Sequence, residues 1–174
     1  RSHLSEGRAW LKQALDSSRA EFESTHSREF RTTYAWALVK SGDLAGRQGD
    51  LASDALYSEI GLALFRDLDD KHGITAALIV LATLARMQSD WSLARTRLDE
   101  GVALAHESGD QRQLALGLRN LGIVNEFQGD YATARSLLEQ ALHLSRRQSD
   151  PHAIAMTLSN LGNIAQQQGD YAGA

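Results

Sequence analysis

The sequence predicts an all-α protein, an array of antiparallel helix pairs stacked into a superhelix with one continuous core. Three observations carry that expectation. Asp50, Asp90, Asp130 and Asp170 recur at one constant interval, each followed by a large apolar residue, namely Leu51, Trp91, Tyr131 and Tyr171. Leu38, Leu78, Leu118 and Leu158 keep the same period, while Asp70, Asp110 and Asp150 mark a second junction. No stretch shows the sustained two-residue alternation of a half-buried strand. A fixed period of about 40 residues marks a repeat array, in which no unit buries its apolar stripes alone.

Taken in order, residues 6–18 predict the second helix of a partial preceding unit, because Gln13-Ala14-Leu15 echoes Gln140-Ala141-Leu142. Residues 19–27 read as a polar connector, so that 1–28 form a partial unit and linker. Repeat 1 spans 29–70, repeat 2 spans 71–110, repeat 3 spans 111–150 and a truncated repeat 4 spans 151–174, all within one domain. In repeat 3, Leu114, Leu118, Leu121 and Val124 recur at three- and four-residue steps, the spacing of one helical face. Gly129-Asp130 then ends that helix and caps the next, since glycine tolerates the left-handed conformation and aspartate accepts from free backbone N–H groups. The second helix runs through Ala134, Leu137, Leu138, Ala141, Leu142 and Leu144. Gly122, Gly162, Ala94 and Ala134 mark places where paired helices approach closely.

Composition narrows the function. A net charge of −4 and a pI near 5.8 argue against a general nucleic-acid surface, which carries a basic excess. The absence of cysteine excludes disulfides, thiol nucleophiles and zinc–thiolate sites. The longest apolar run, residues 74–85, is too short to span a bilayer. None of the six histidines has another three or four residues away, the spacing of a helical metal site. Residues 67–73 look like an acidic calcium loop, but His72 stands where glycine is needed and Leu78 where a bidentate glutamate is needed. Residues 41–50 carry glycines without the lysine or preceding strand of a phosphate loop. The expectation is a non-enzymatic chain with no metal and no cofactor.

The repeat resembles the tetratricopeptide repeats. Leu118, Leu121, Gly122, Asn125, Gly129, Tyr131, Ala134, Leu138 and Ala141 follow that family's pattern in repeat 3, as do Leu158, Leu161, Gly162, Ala165, Gly169, Tyr171 and Ala174 in repeat 4. Repeat 1 departs from it at Ser41, Asp54 and Ser58. The period also departs, being longer than the family's usual length of about 34 residues. Units this long are similar to those in the sensor arms of bacterial signal-transduction ATPases of the LuxR or maltose-regulator type.

The resemblance implies a right-handed superhelical solenoid of antiparallel helix pairs whose first helices line an inner groove. Positions matching the groove are Ile79, Thr83 and Arg86 in repeat 2, and Arg119, Asn120, Ile123, Glu126 and Phe127 in repeat 3. In repeat 4 they are Ser159, Asn160, Asn163, Gln166 and Gln167. Asn120, Asn160 and Asn163 would form an amide ladder able to pair with both N–H and C=O of an extended peptide. Arg119 could hold an acidic group.

The implied role is a protein-, peptide- or ligand-binding module in a larger cytoplasmic bacterial regulator of transcription or signalling; the alternative is a structural adaptor for extended peptides. Partners would be a protein, a peptide or a small effector, with no direct contact to nucleic acid or membrane. The chain begins at Arg1 and the repeated phrase stops inside a unit at Ala174, so a fragment of a longer protein is expected. Helix 152–168 would then expose Leu158, Leu161 and Ile164 and drive self-association.

Overall fold

The computed structural model describes residues 27–169 together with Glu6, Ala9, Trp10, Gln13 and Asp16–Ser18. Those isolated positions in 6–18 are α-helical; most of the connector, and Tyr171 and Ala174 of the repeat motif, lie outside the described residues. Seven helices follow in order: α1 Arg28–Arg47, α2 Leu51–Asp67, α3 Lys71–Met87, α4 Trp91–Ser108, α5 Gln111–Phe127, α6 Tyr131–Arg147 and α7 Pro151–Gln167. There is no strand among the described residues. The all-α class and the helix-pair repeat are as the periodicity predicts.

One junction, used six times, explains these boundaries. The side chains of Asp50, Asp70, Asp90, Asp110, Asp130 and Asp150 each accept from the backbone N–H three residues on, at 3.0–3.1 Å. That bond satisfies one of the donors a helix start leaves free, and is worth about 1 kcal/mol. The residue before each aspartate is left-handed: Gly49, Asp69, Ser89, Gly109, Gly129 and Ser149, with φ between 52° and 87°. Each aspartate's own N–H then reaches back to the carbonyl five residues earlier, at 2.9–3.1 Å, as in Asp130 to Asn125. Helix end and helix start are therefore closed by the same residue. The even spacing of the aspartates sets the helix lengths. Helices α2, α3, α5, α6 and α7 are each 17 residues long and α4 is 18.

The chain divides into two compact units, Arg1–Leu84 and Ala85–Ala174. In the second, Ala105 of α4 and Ala141 of α6 pack with Leu114 and Leu118 of α5. Ala134 and Leu138 of α6 meet Ile164 of α7, with Tyr131 and Leu161 alongside. Gly122 is a position of close approach, because a Cβ there would stand 2.7 Å from Leu138 Cγ. Leu138 itself is fully buried, a contribution of about 1.5–3 kcal/mol. The same contacts correct one expectation, since Ile164 is inside this core and not on the open face of α7. Leu161 is half-buried, while Met156 and Leu158 are exposed.

The first unit builds the same kind of pair from different chemistry. Asp54 and Ser58 of α2 stand in the register of Ala94 and Leu98, and of Ala134 and Leu138. Both are buried, and Ser58 donates to Asp54 Oδ1 at 3.0 Å. Gly42 and Gly46 of α1 make room for this polar layer: a Cβ on Gly42 would lie 2.5 Å from Ser58 Oγ, and one on Gly46 would strike the Asp54 carboxylate. Next to it, Phe65 is fully buried and meets the Trp36 ring edge-on at 5.0 Å.

Burial pushes the Asp54 carboxyl above its ordinary value of 3.8, against the lowering effect of the Ser58 hydrogen bond and with the Asp43 charge adding to the rise. The folded chain therefore holds this proton more tightly than the unfolded chain. Its contribution to stability is present below about pH 4 and is lost as pH rises through the folded value. Asp54→Ala, the residue the later repeats use, removes this titration, so the stability of the variant relative to the parent chain is expected to shift in the variant's favour as pH rises from about 4 to 7. Urea unfolding of both chains at the two pH values checks it, and a difference that does not change with pH would contradict it.

Candidate functional site

The side chains singled out by the sequence fall mainly on α5 and α7 of the second unit. Residues seven apart on a helix return to one face, so Arg119 and Glu126 look the same way from α5, about 10 Å apart along its axis. Arg119 and Ile123 are half-buried, Glu126 is 8% exposed and Phe127 is 62% exposed. On α7, Asn160 is half-buried, and Asn163 and Gln166 are exposed. Arg86, in the last turn of α3, is half-buried, and its Nε has no hydrogen-bond partner among the described residues.

The asparagine ladder does not form as an open row. Asn120 is 8% exposed, and its amide nitrogen donates to the Leu116 carbonyl of its own helix at 2.9 Å. One residue of helical rotation is about 100°, enough to turn Asn120 inward while Arg119 beside it reaches the cleft described next. The Asn160 amide nitrogen is buried without a partner among the described residues, and Asn163 faces solvent.

Two clefts occupy the two ends of the α5–α7 face. The first, of about 220 Å3, lies at the start of α7 and is lined by Arg112, Leu116, Arg119, Asp150, His152 and Thr157, among others. Burial holds the Arg119 guanidinium below its usual value, and the Asp150 carboxylate opposes that shift. The Asp150 carboxyl is itself held low, chiefly by the Ala153 N–H, with the Arg112 and His152 charges adding to the effect. Two guanidiniums thus share a single carboxylate, which leaves the cleft with a positive excess.

The second cleft, of about 430 Å3, lies at the other end and is lined by Glu126, Phe127, Gln128, Gly129, Tyr131 and Gln167. The Glu126 carboxylate accepts from Gln167 Nε2 at 3.0 Å, and burial pushes its carboxyl above the ordinary glutamate value. A third hollow, of about 600 Å3 and mostly apolar, lies among Val102, Leu114, Leu118 and Leu144, with His106 and His143 at its edge.

Arg112 and Asp150 are site residues that the motif comparison passes over, and Tyr131 enters it only as a repeat position. The period itself points to one pairing, since Arg112 and His152 hold the same position in successive repeats and both line the first cleft. A further polar link was also missed. Arg95 of α4 donates to Asn125 Oδ1 and Gln128 Oε1, both at 2.6 Å, while the Asn125 amide donates to the Leu121 carbonyl at 2.8 Å. This link ties α4 to the end of α5 and braces the second cleft. Among the described residues, no group of three or more His, Asp or Glu side chains is placed to hold a metal ion.

Asn125→Ala is expected to cost about 1–3 kcal/mol of unfolding free energy, because it removes a partner of Arg95 at a buried position. Asn163→Ala, at an exposed position, should stay within about 0.5 kcal/mol of the parent chain. Urea denaturation of both variants checks the contrast.

No curated protein matches the chain in sequence. The tetratricopeptide-repeat family's sequence profile matches residues 113–174, which hold the second cleft and all of the first but Arg112. Among solved structures, the chain is similar to the crystal structure of BtubC (BKLC) from P. vanneervenii, with a TM-score of 0.81 and 17% sequence identity, over 96% of this chain and 67% of that one. At that identity the likeness is one of fold, and the fold is the paired-helix array of the tetratricopeptide repeats.

Proposed function

We propose that this chain is a non-catalytic binding module that receives an extended segment of a protein partner along the α5–α7 face. The observation that carries this reading is the pair of open clefts on one helical face, one with a positive excess at Arg112 and Arg119, the other holding the Glu126 carboxylate. Tetratricopeptide repeats generally mediate protein–protein contact, which supports the same reading. Arg119 is the anchor for an acidic side chain of the partner. Its guanidinium has been partly stripped of water and shares Asp150 with the Arg112 guanidinium, so an incoming carboxylate regains charge pairing that the free cleft lacks.

The setting we propose is the interaction region of a larger cytoplasmic bacterial regulator, a reading supported by the length of the repeat unit. The alternative, an adaptor that gathers extended peptides, uses the same clefts. Self-association is a second use of α7, through exposed Met156 and Leu158 with half-buried Leu161 beside them. An exposed apolar set of this kind favours burial against a partner.

Screening the chain against a library of 15-residue peptides tests the module. Retained peptides should carry an aspartate or glutamate, and Arg119→Met with Arg112→Ala should weaken them about tenfold, the value of one charge-assisted hydrogen bond at a buried site. Retention that ignores peptide charge would sink the Arg119 assignment. Separately, light scattering at rising concentration should show mass growing beyond 19.0 kDa, and Leu158→Glu should abolish that growth. A strict monomer would remove self-association from the proposal.

A further inference from the structure

The second cleft combines features that the first lacks. Phe127 ends α5 with its ring 62% exposed, yet that ring is not loose. One face stacks on Trp91 of α4, with centroids 4.6 Å apart and planes 13° from parallel. Trp91 follows the capping Asp90 and is half-buried, so the exposed ring rests on a fixed one. Tyr131, at the start of α6, is held by the packing of Ala134, Leu138 and Ile164. Glu126 supplies a carboxylate on the same cleft, positioned by Gln167 from α7.

An aromatic ring presents a negative face, and a carboxylate deprived of water gains from a cation brought against it. The Glu126 carboxylate is in that condition: burial disfavours its charge, and its hydrogen-bond partner is a neutral amide. Arg95, the cation that acts on neighbouring Asp130, donates to Asn125 and Gln128. Asp130, exposed at the turn beside the cleft, adds a second negative charge, its carboxyl held low chiefly by Thr133.

We propose that the cleft formed by Glu126, Phe127 and Tyr131 binds a positively charged side chain of the partner, with its charge on the Glu126 carboxylate and its stem against the Phe127 and Tyr131 rings. This inference rests on the binding-module reading and sharpens it. An extended segment rises about 3.3 Å per residue, and Arg119 and Glu126 lie about 10 Å apart along α5. The preferred partner segment therefore places an acidic residue and a basic residue about three positions apart, which also fixes the direction in which it lies.

The test uses the chain as it stands and N-acetyl-arginine methylamide as probe, with the neutral citrulline counterpart as control. Backbone amide shifts of Phe127, Gly129 and Gln167 are followed by NMR. Saturable shifts with the arginine probe and none with citrulline are expected. Glu126→Gln and Phe127→Ala should each weaken the arginine probe about tenfold. Phe127 is exposed, so its variant keeps the proposal testable if Glu126→Gln unfolds.

Equal shifts with citrulline, shifts that map elsewhere, or full binding by both variants would overturn the cation cleft. If library peptides still bind and depend on Arg119 while both variants leave that binding intact, the cation cleft falls and the module stands. If the arginine probe binds at Glu126 while no library peptide binds, the cation cleft stands and the module reading falls.

Discussion

Everything in this structure depends on the closed turn at residues 50, 70, 90, 110, 130 and 150. Each turn uses a left-handed residue to end one helix and an aspartate to begin the next. A left-handed backbone costs a residue other than glycine about 1–2 kcal/mol, and Asp69, Ser89 and Ser149 accept that cost. What the turn fixes in return is length. Helices stopped at both ends cannot slide by a residue without uncapping themselves. The two clefts inherit this precision: each is bounded by a turn, one by Asp150 and the other by Gln128 and Gly129.

The architecture was legible because its determinants are local. The capping aspartates, the residues before them and the three- and four-residue apolar steps lie within a few positions of the bonds they make. The candidate site was legible only in part, because it depends on rotation about a helix axis and on what packs alongside. Arg119, Glu126 and Phe127 reach the clefts, whereas Asn120, adjacent to Arg119 in sequence, is turned inward. Ile164 lies six residues after Leu158, about 120° round the helix, and is fully buried where Leu158 is 46% exposed. Arg112 and Asp150 were invisible to motif matching because in the sequence they serve as turn-flanking positions.

The departures from the repeat pattern are as informative as the pattern. Where repeats 2 and 3 use alanine and leucine between paired helices, repeat 1 uses Asp54 and Ser58, facing Gly42, which shares the register of Gly122, and Gly46, which stands where the later repeats have Arg86 and Glu126. The Asp54 carboxylate leaves no room for a side chain at position 46, so this layer restricts its facing helix more than alanine would. It does so at a cost in stability that alanine would not incur. The two compact units thus solve the same packing problem with opposite emphasis, one on specificity and the other on apolar area.

The Trp91–Phe127 stack has an optical consequence. The chain has three tryptophans, and Trp91 is the one in Ala85–Ala174, while Trp10 and Trp36 fall in Arg1–Leu84. Trp91 emission therefore reports on the second unit alone once the other two are replaced. Its ring touches a cleft residue directly, so its quantum yield responds both to occupancy of that cleft and to melting of the helices around it. The molecule carries its own fluorophore at the place where recognition would be felt.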